Sequence, residues 1–141
     1  MNKELNLKVF IKADGRYKFD RKAIRKAVTN LLVEKGLSGD VVLSIFIVGE
    51  RKIKELSKKY LDKDEVTDVL SFSQIEASHL GSVNTSHSRG VIEEDELMLG
   101  DVVVCYGVAK TQAVKMNKLL DEEIEFLVLH GVLHLLGVHH D

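Results

Sequence analysis

The sequence predicts one domain of the α/β or α+β class, in which helices pack on a mixed sheet of about four strands. Hydrophobic residues alternate with period two in some stretches and recur at helical spacing in others, in the order β-α-β-α-β-β-α-α. A chain of 141 residues corresponds to one domain, and it buries about two-thirds of its surface on folding. No repeat or linker divides the chain, so residues 1–141 are expected to form a single domain.

The first half of the chain predicts two strands and two helices. Residues 5–12 alternate between apolar and mostly polar side chains, which is typical of a half-exposed strand. A helix follows between Asp20, which can cap its first turn, and Gly36, which can end it. Residues 41–48 are nearly all apolar and predict an interior strand, and residues 50–60 predict a second helix.

The second predicted helix carries the basic cluster, which is the densest group of positive residues in the chain: Arg51, Lys52, Lys54, Lys58 and Lys59. These residues can form a solvated helix face, or they can contact phosphate groups, and the sequence leaves both readings open. The net charge of −2 gives the chain no general basic field. A nucleic acid would therefore have to be held by a local patch of this kind.

The second half predicts two short strands and two helices around a long loop. Residues 67–72 and 99–105 are β-prone, and residues 73–96 between them are rich in serine, histidine, glycine and acids. A loop of this length often carries function, and its acidic residues are expected to stay exposed. A helix then breaks near Asn117, and the last helix begins at Asp121.

The last helix carries the residues most suited to chemistry. It is apolar on nearly every side, which predicts that it is buried at the centre of the domain. His130 and His134 lie one turn apart on one face, a spacing at which two imidazoles can bind one metal ion. Gly137 can turn the chain back and bring His140 to the same ion. Three protein ligands with an open fourth position are typical of a catalytic zinc site.

An alternative is that these histidines are ordinary core or surface residues. Four of the six histidines lie within the last twelve residues, however, and their neighbours are apolar: Val132, Leu133, Leu135 and Leu136. This concentration favours a metal site on the C-terminal helix. A zinc ion held there would lower the pKa of a coordinated water to about 7, which supports hydrolysis.

Gly131 argues against a peptidase. Zinc peptidases use the motif H-E-x-x-H, whose glutamate is the general base, and here a glycine occupies that position. Cleavage of RNA stays compatible with the residues, because the 2′-hydroxyl is an internal nucleophile. The residues do not identify the general base.

The cysteine count and the hydropathy of the chain indicate the compartment in which the protein is expected. Cys105 is the single cysteine and lies in a valine-rich run, so it is expected to be a small buried apolar residue. A chain that cannot form an internal disulfide fits the reducing cytosol. No stretch is long and apolar enough to span a bilayer, and residues 1–5 lack an apolar signal core. A cytoplasmic protein without a membrane partner is expected.

Three segments resemble the YbeY family of bacterial rRNA-maturation endoribonucleases. Residues 130–140, HGVLHLLGVHH, resemble the signature H-G-x-L-H-L-x-G-x-D-H of that family. Residues 67–72 match its T-D-V-L-S-F segment, and residues 99–104 match its L-G-D-I-x-I segment. The segments come in the order of the family and the length is similar, so the resemblance covers essentially the whole chain.

The resemblance implies a zincin-like α/β fold with one zinc ion on His130, His134 and His140. It also implies a single-strand-specific endoribonuclease that acts on rRNA, in 16S rRNA 3′-end maturation and ribosome quality control. The implied partners are single-stranded rRNA and the ribosome or its proteins. Two other classes remain open: a zinc hydrolase of peptides or small molecules, and a ribosome-associated binding protein whose metal is structural.

The chain departs from the family pattern at two places. The aspartate before the third histidine is His139 here, which is an alternative third ligand, although His140 keeps the register of the motif. The family usually has an arginine after the tyrosine that precedes T-D-V-L-S-F, whereas Leu61 follows Tyr60 here. Three nearby lysines could supply the phosphate contact instead: Lys58, Lys59 and Lys63.

The matched segments also contain two carboxylates, Asp68 and Asp101. Each could orient a histidine of the metal site from behind, or it could hold a turn. Neither is assigned a catalytic role.

Overall fold

The computed structural model describes residues 4–73 and 96–137. Its elements follow the predicted order and are β1 (Leu5–Ala13), α1 (Arg21–Glu34), β2 (Gly39–Val48), α2 (Glu50–Leu61), β3 (Val69–Ser73), β4 (Leu97–Cys105), α3 (Tyr106–Lys115) and α4 (Leu120–Leu135). The loop predicted over 73–96 lies, apart from its two ends, outside the described residues. The same is true of His139 and His140.

The four strands form one mixed sheet in the order β1-β2-β4-β3. Strands β1, β2 and β4 are parallel, and β3 pairs antiparallel with β4 at the sheet edge. The predicted α/β class and the mixed four-stranded sheet are therefore confirmed. The strand order was not predicted, since it depends on pairing between residues far apart in the chain.

Helices cover both faces of the sheet. Helices α1 and α4 pack on the face that carries Val102 and Val104, and α2 packs on the face that carries Val103 and Cys105. Successive side chains of a strand point to opposite faces, so β4 contributes to both layers of the core. The interior position predicted for residues 41–48 is confirmed, because its central side chains are buried on both faces.

Local signals set the helix ends as predicted. The Asp20 carboxylate accepts a hydrogen bond from the Ala23 N–H at 3.0 Å, which caps α1, and Gly36 beyond its end has a φ of 82°. Asn117 adopts a φ of 54° between α3 and α4, in the left-handed region that few residues except glycine and asparagine tolerate. The predicted break near Asn117 is thereby confirmed.

Helix α4 packs against α1, α3, β3 and β4, as expected of a central helix. Its burial is less complete than predicted, because Leu119 just before it and Phe126 on its outer side are 71% and 54% exposed. No described element covers that outer side. The chain also buries an acid in the first turn, since Glu123 is only 1% exposed and its carboxylate meets the Lys118 ammonium at 2.7 Å.

One further expectation is wrong at the end of the predicted loop. The Glu96 side chain is only 3% exposed and forms an ion pair with Lys8 at 3.2 Å, although the acids there were expected to face solvent. Among the described residues, no helix is long and apolar enough to cross a membrane.

Candidate metal centre beside the edge strand

The two histidines of α4 already lie at a separation that suits a shared ion. Their Nε2 atoms are 3.1 Å apart, and the ring centroids are 4.6 Å apart. Two nitrogens bound to zinc at about 2.0–2.1 Å with a tetrahedral angle lie roughly 3.3 Å from each other. A hydrogen bond from one neutral ring to the other has a similar length. His130 and His134 therefore fit two ligand positions with little movement.

The third predicted ligand, His140, lies outside the described residues, as does its alternative, His139. Within residues 4–73 and 96–137, no group of three or more histidine, cysteine or acidic side chains could hold a metal. Gly137 ends the helix with a φ of 80°, as the sequence predicted. The structure thus brings together two of the three predicted ligands.

Gly131 allows α4 to lie close to the sheet. A Cβ atom added there would be 2.7 Å from Cγ1 of Val102 and 3.4 Å from Cγ2 of Val69, so the helix could not approach this closely with any side chain. The position that holds the general base in zinc peptidases consequently faces the sheet here. This gives a physical reason for the missing glutamate.

The histidines border a small pocket at the beginning of β3. Its volume is about 110 Å³, and it is lined by residues 68–71 together with His130, Gly131 and His134. Since a water molecule occupies about 30 Å³ in the liquid, the pocket holds a few waters or one reacting group. Most of any larger substrate must lie on the surface around it.

Asp68 is the carboxylate of this pocket. Its Oδ1 accepts a hydrogen bond from the Val69 N–H at 2.8 Å, and its Oδ2 accepts a longer one from the Gln112 side-chain amide at 3.4 Å. These contacts fix the side chain at the start of β3. Asp68 therefore both holds the chain at the strand start and lines the pocket beside the histidines.

Asp101, the second carboxylate of the matched segments, lies on the other face of β4 from His130 and His134. It is fully buried and pairs in register with Phe72, so its side chain shares the face of β4 that α2 covers. The histidines and Gly131 lie on the other face, against Val102. Asp101 is therefore not placed to orient His130 or His134, because the alternation of β4 sends its side chain to the opposite face.

Cys105 is confirmed as a buried apolar residue. It is 0% exposed, and burial raises the pKa of its thiol, which keeps it protonated and unreactive near neutrality. It lies at the junction of β4 and α3, packed among the residues under α2.

The basic cluster lies on the solvent side of α2, away from the buried Ile53 and Leu56. Two of its lysines form long surface ion pairs, Lys52 with Glu55 and Lys54 with Asp64, each at 3.8 Å. Helix α2 covers the sheet face opposite α4, so the cluster and the histidines are on different sides. The C-terminal end of α2 leads directly into residues 62–68 and hence to the pocket.

The mixed sheet, and the histidine pair that α4 holds beside its antiparallel edge strand, define an α/β protein with a candidate metal centre. A sequence model of the family described as Endoribonuclease YbeY matches residues 11–141. The chain therefore belongs to the YbeY family, and the family membership predicted from three short segments is confirmed.

Individual relatives agree with this assignment. Endoribonuclease YbeY of Staphylococcus carnosus is 35% identical, in a match that covers 80% of this chain and 71% of the relative. Endoribonuclease YbeY of Dehalococcoides mccartyi is 30% identical, over 98% of this chain and 80% of the relative. The solution structure of TM1509 from Thermotoga maritima is similar with a TM-score of 0.56 and 26% identity, over 95% of this chain and 75% of the other.

Proposed function

We propose that this chain is a zinc-dependent endoribonuclease that cleaves single-stranded RNA, built as one zincin-like domain over residues 1–141. The observation that carries the proposal is the 3.1 Å separation of the His130 and His134 Nε2 atoms beside a pocket, in a chain of an endoribonuclease family. His140 is the proposed third ligand, and His139 is its alternative. A bound zinc ion would act as a Lewis acid and lower the pKa of a coordinated water to about 7.

The residues that line the pocket are proposed to have different roles. His130 and His134 would hold the ion, on a helix whose close packing through Gly131 fixes its height above the sheet. Asp68 is the carboxylate among the described lining residues. It is the candidate to accept a proton from the attacking group, which is either the 2′-hydroxyl of the RNA or a water molecule. Its hydrogen bonds to Val69 and Gln112 would keep it oriented toward the substrate.

Phosphate groups of the RNA would be held by the C-terminal part of α2. Lys58 and Lys59 are exposed in its last turn, and the exposed Lys63 follows at the connection toward the pocket. These lysines take the place of the arginine that the family usually has at the position of Leu61. Because the net charge is −2, such binding is local and should weaken steeply as salt rises.

The proposed biological role is maturation of the 16S rRNA 3′ end and ribosome quality control in the cytoplasm, with the ribosome or its proteins as partners. Family membership supports this role. A peptidase is disfavoured, because the base position of the peptidase motif faces the sheet at Gly131.

The test combines metal analysis with RNA cleavage. Purified protein should contain about one zinc per chain and should cleave single-stranded RNA faster than a duplex of the same sequence. A chelator should abolish cleavage without unfolding the protein. If chelation unfolds the chain and no substrate is turned over, the metal is structural and the protein is a binding protein.

Single substitutions then assign the ligands. His130→Ala and His134→Ala should each lose zinc and activity while the fold survives, as judged by circular dichroism. Comparison of His139→Ala with His140→Ala identifies the third ligand, since the variant that has lost a non-ligand histidine should keep its zinc. Cleavage that is unchanged in His130→Ala would refute the proposal.

A further inference from the structure

Three rings stand in a row along the exposed side of α4. Phe126, His130 and His134 follow one another at intervals of four residues, so each lies one turn beyond the last. The Phe126 and His130 ring centroids are 6.3 Å apart with planes inclined by 26°, and the two histidines follow at 4.6 Å. The row therefore runs from an aromatic surface directly into the candidate metal centre.

Phe126 is unusual among the aromatic residues of this chain. All five phenylalanines lie in the described ranges, and Phe126 alone is exposed, with 54% of its surface open to solvent. The Lys118 ammonium lies 4.8 Å from its ring centroid and is itself held at 2.7 Å by the buried Glu123 carboxylate. The ion pair with Glu123 fixes the position of the Lys118 ammonium, and its cation–π contact restrains the Phe126 ring.

The size of the pocket requires a surface of this kind. At about 110 Å³ it can admit a reacting group, whereas pockets that enclose a whole small-molecule ligand have about 300–1,000 Å³. The base next to the cleaved bond is therefore expected to lie along the rim of the pocket. On the α4 side, that rim begins at His130 and continues to Phe126.

The charges on α4 limit how far the RNA can follow this row. Asp121 and Glu122 lie exposed in the first turn, just beyond Phe126, and would repel the phosphate groups of a longer strand. An RNA strand that contacts Phe126 is therefore expected to turn away from the first turn of α4.

We infer that Phe126 stacks on one unpaired base of the RNA substrate, next to the bond that is cleaved. The inference rests on the proposed function and extends it, since it names the feature of the substrate that the site selects. Exposed aromatic rings are a common means of binding the faces of single-stranded bases, which a duplex keeps stacked and inaccessible. The preference for single strands thus follows from a contact at Phe126.

The absence of tryptophan from the chain permits a direct test. Phe126→Trp introduces a single indole at the stacking position, and a base stacked on it should quench its fluorescence. The probe is a short single-stranded RNA with 2′-O-methyl groups, which prevent attack by the 2′-oxygen, and gel analysis after each titration checks that zinc-bound hydroxide has not cleaved it. The matched control is Leu119→Trp, at an exposed position on the same helical hairpin but beyond the acidic residues.

The expected result is quenching in Phe126→Trp by the single strand, little quenching by the duplex, and little quenching in Leu119→Trp. Phe126→Ala should weaken binding of the single strand between about fivefold and a hundredfold, with a larger effect on KM than on kcat. Its thermal unfolding should change little, because the ring is mostly exposed.

Fluorescence anisotropy of a labelled strand distinguishes a failure of the stacking inference from a failure of the proposed function. If the strand binds but quenches both tryptophans equally, or if Phe126→Ala binds as tightly as the parent chain, the stacking inference is overturned while the proposed function stands. If the strand binds to none of these proteins and none of them cleaves RNA, both are overturned.

Discussion

Substitution of Gly131 by alanine tests how α4 is held over the sheet. The added Cβ would lie 2.7 Å from Cγ1 of Val102, whereas ordinary carbon contacts are about 3.5–4.0 Å, so roughly 1 Å must be gained. Val102 is fully buried, and its branched side chain has little rotamer freedom, which leaves a shift of the helix as the main adjustment.

Two opposing effects set the magnitude. Overpacking of this kind costs about 1–3 kcal/mol, and the exchange of glycine for alanine inside a helix contributes about 1 kcal/mol in favour. Gly131→Ala should therefore lose roughly 1 kcal/mol of unfolding free energy, measured by urea titration of the metal-free protein. Both histidines move with α4, so zinc should still bind, but their position relative to Asp68 on the neighbouring strand changes. A misplacement of about 1 Å can lower kcat on the order of a hundredfold.

A double-mutant cycle isolates the contact. Val102→Ala removes the methyl groups that the new Cβ would meet, so the combination of Gly131→Ala and Val102→Ala should be less destabilising than the sum of the single changes. Gly15→Ala is the matched control, since nothing lies within 4 Å of its added Cβ, and it should be nearly neutral. If Gly131→Ala stabilised the protein by about 1 kcal/mol, as at an uncrowded helix position, or if the cycle were additive, the packing argument would fail.

Three further predictions follow from the buried groups. Gly100→Ala should destabilise severely or prevent folding, as measured by yield and thermal unfolding, because φ is 139° and the added Cβ would overlap the Phe72 carbonyl oxygen. Glu123→Ala should cost about 1–3 kcal/mol in urea unfolding, because it leaves the Lys118 ammonium, which is only partly open to solvent, without its carboxylate; Glu123→Gln should cost less. Cys105 should react with alkylating reagents only after unfolding. Because burial raises the pKa of the folded thiol, Cys105 contributes to stability below the pKa of the unfolded thiol, near 9.0, and this contribution falls as the pH rises above that value. Cys105→Ala should lack this pH dependence. Rapid alkylation of the native protein would contradict that assignment.

The parts of the molecule that the sequence predicted well are those governed by neighbours along the chain. The cap at Asp20 and the break at Asn117 depend on a few local torsions and hydrogen bonds. The approach of His130 to His134 follows in the same way, because 3.6 residues per turn bring positions four apart together in any helix.

The same local signals could not predict how the elements meet. The sequence indicated that Asp68 and Asp101 belong to strands, but both carboxylates looked equally suited to the histidines. The order of the strands and the face on which α4 packs place Asp68 at the pocket and send Asp101 to the other side. Those choices depend on pairing across large separations in the sequence, which no local pattern encodes.

The sequence by itself thus determined the order of the elements, the membership in the YbeY family and the histidine pair as a candidate site. The tertiary structure decided which side chains surround His130 and His134. It set Gly131 against Val102, brought the start of β3 to the histidines and left Phe126 uncovered beside them. The physical reason is that helix geometry fixes distances within an element, whereas only packing between elements fixes which side chains share a pocket and which remain exposed.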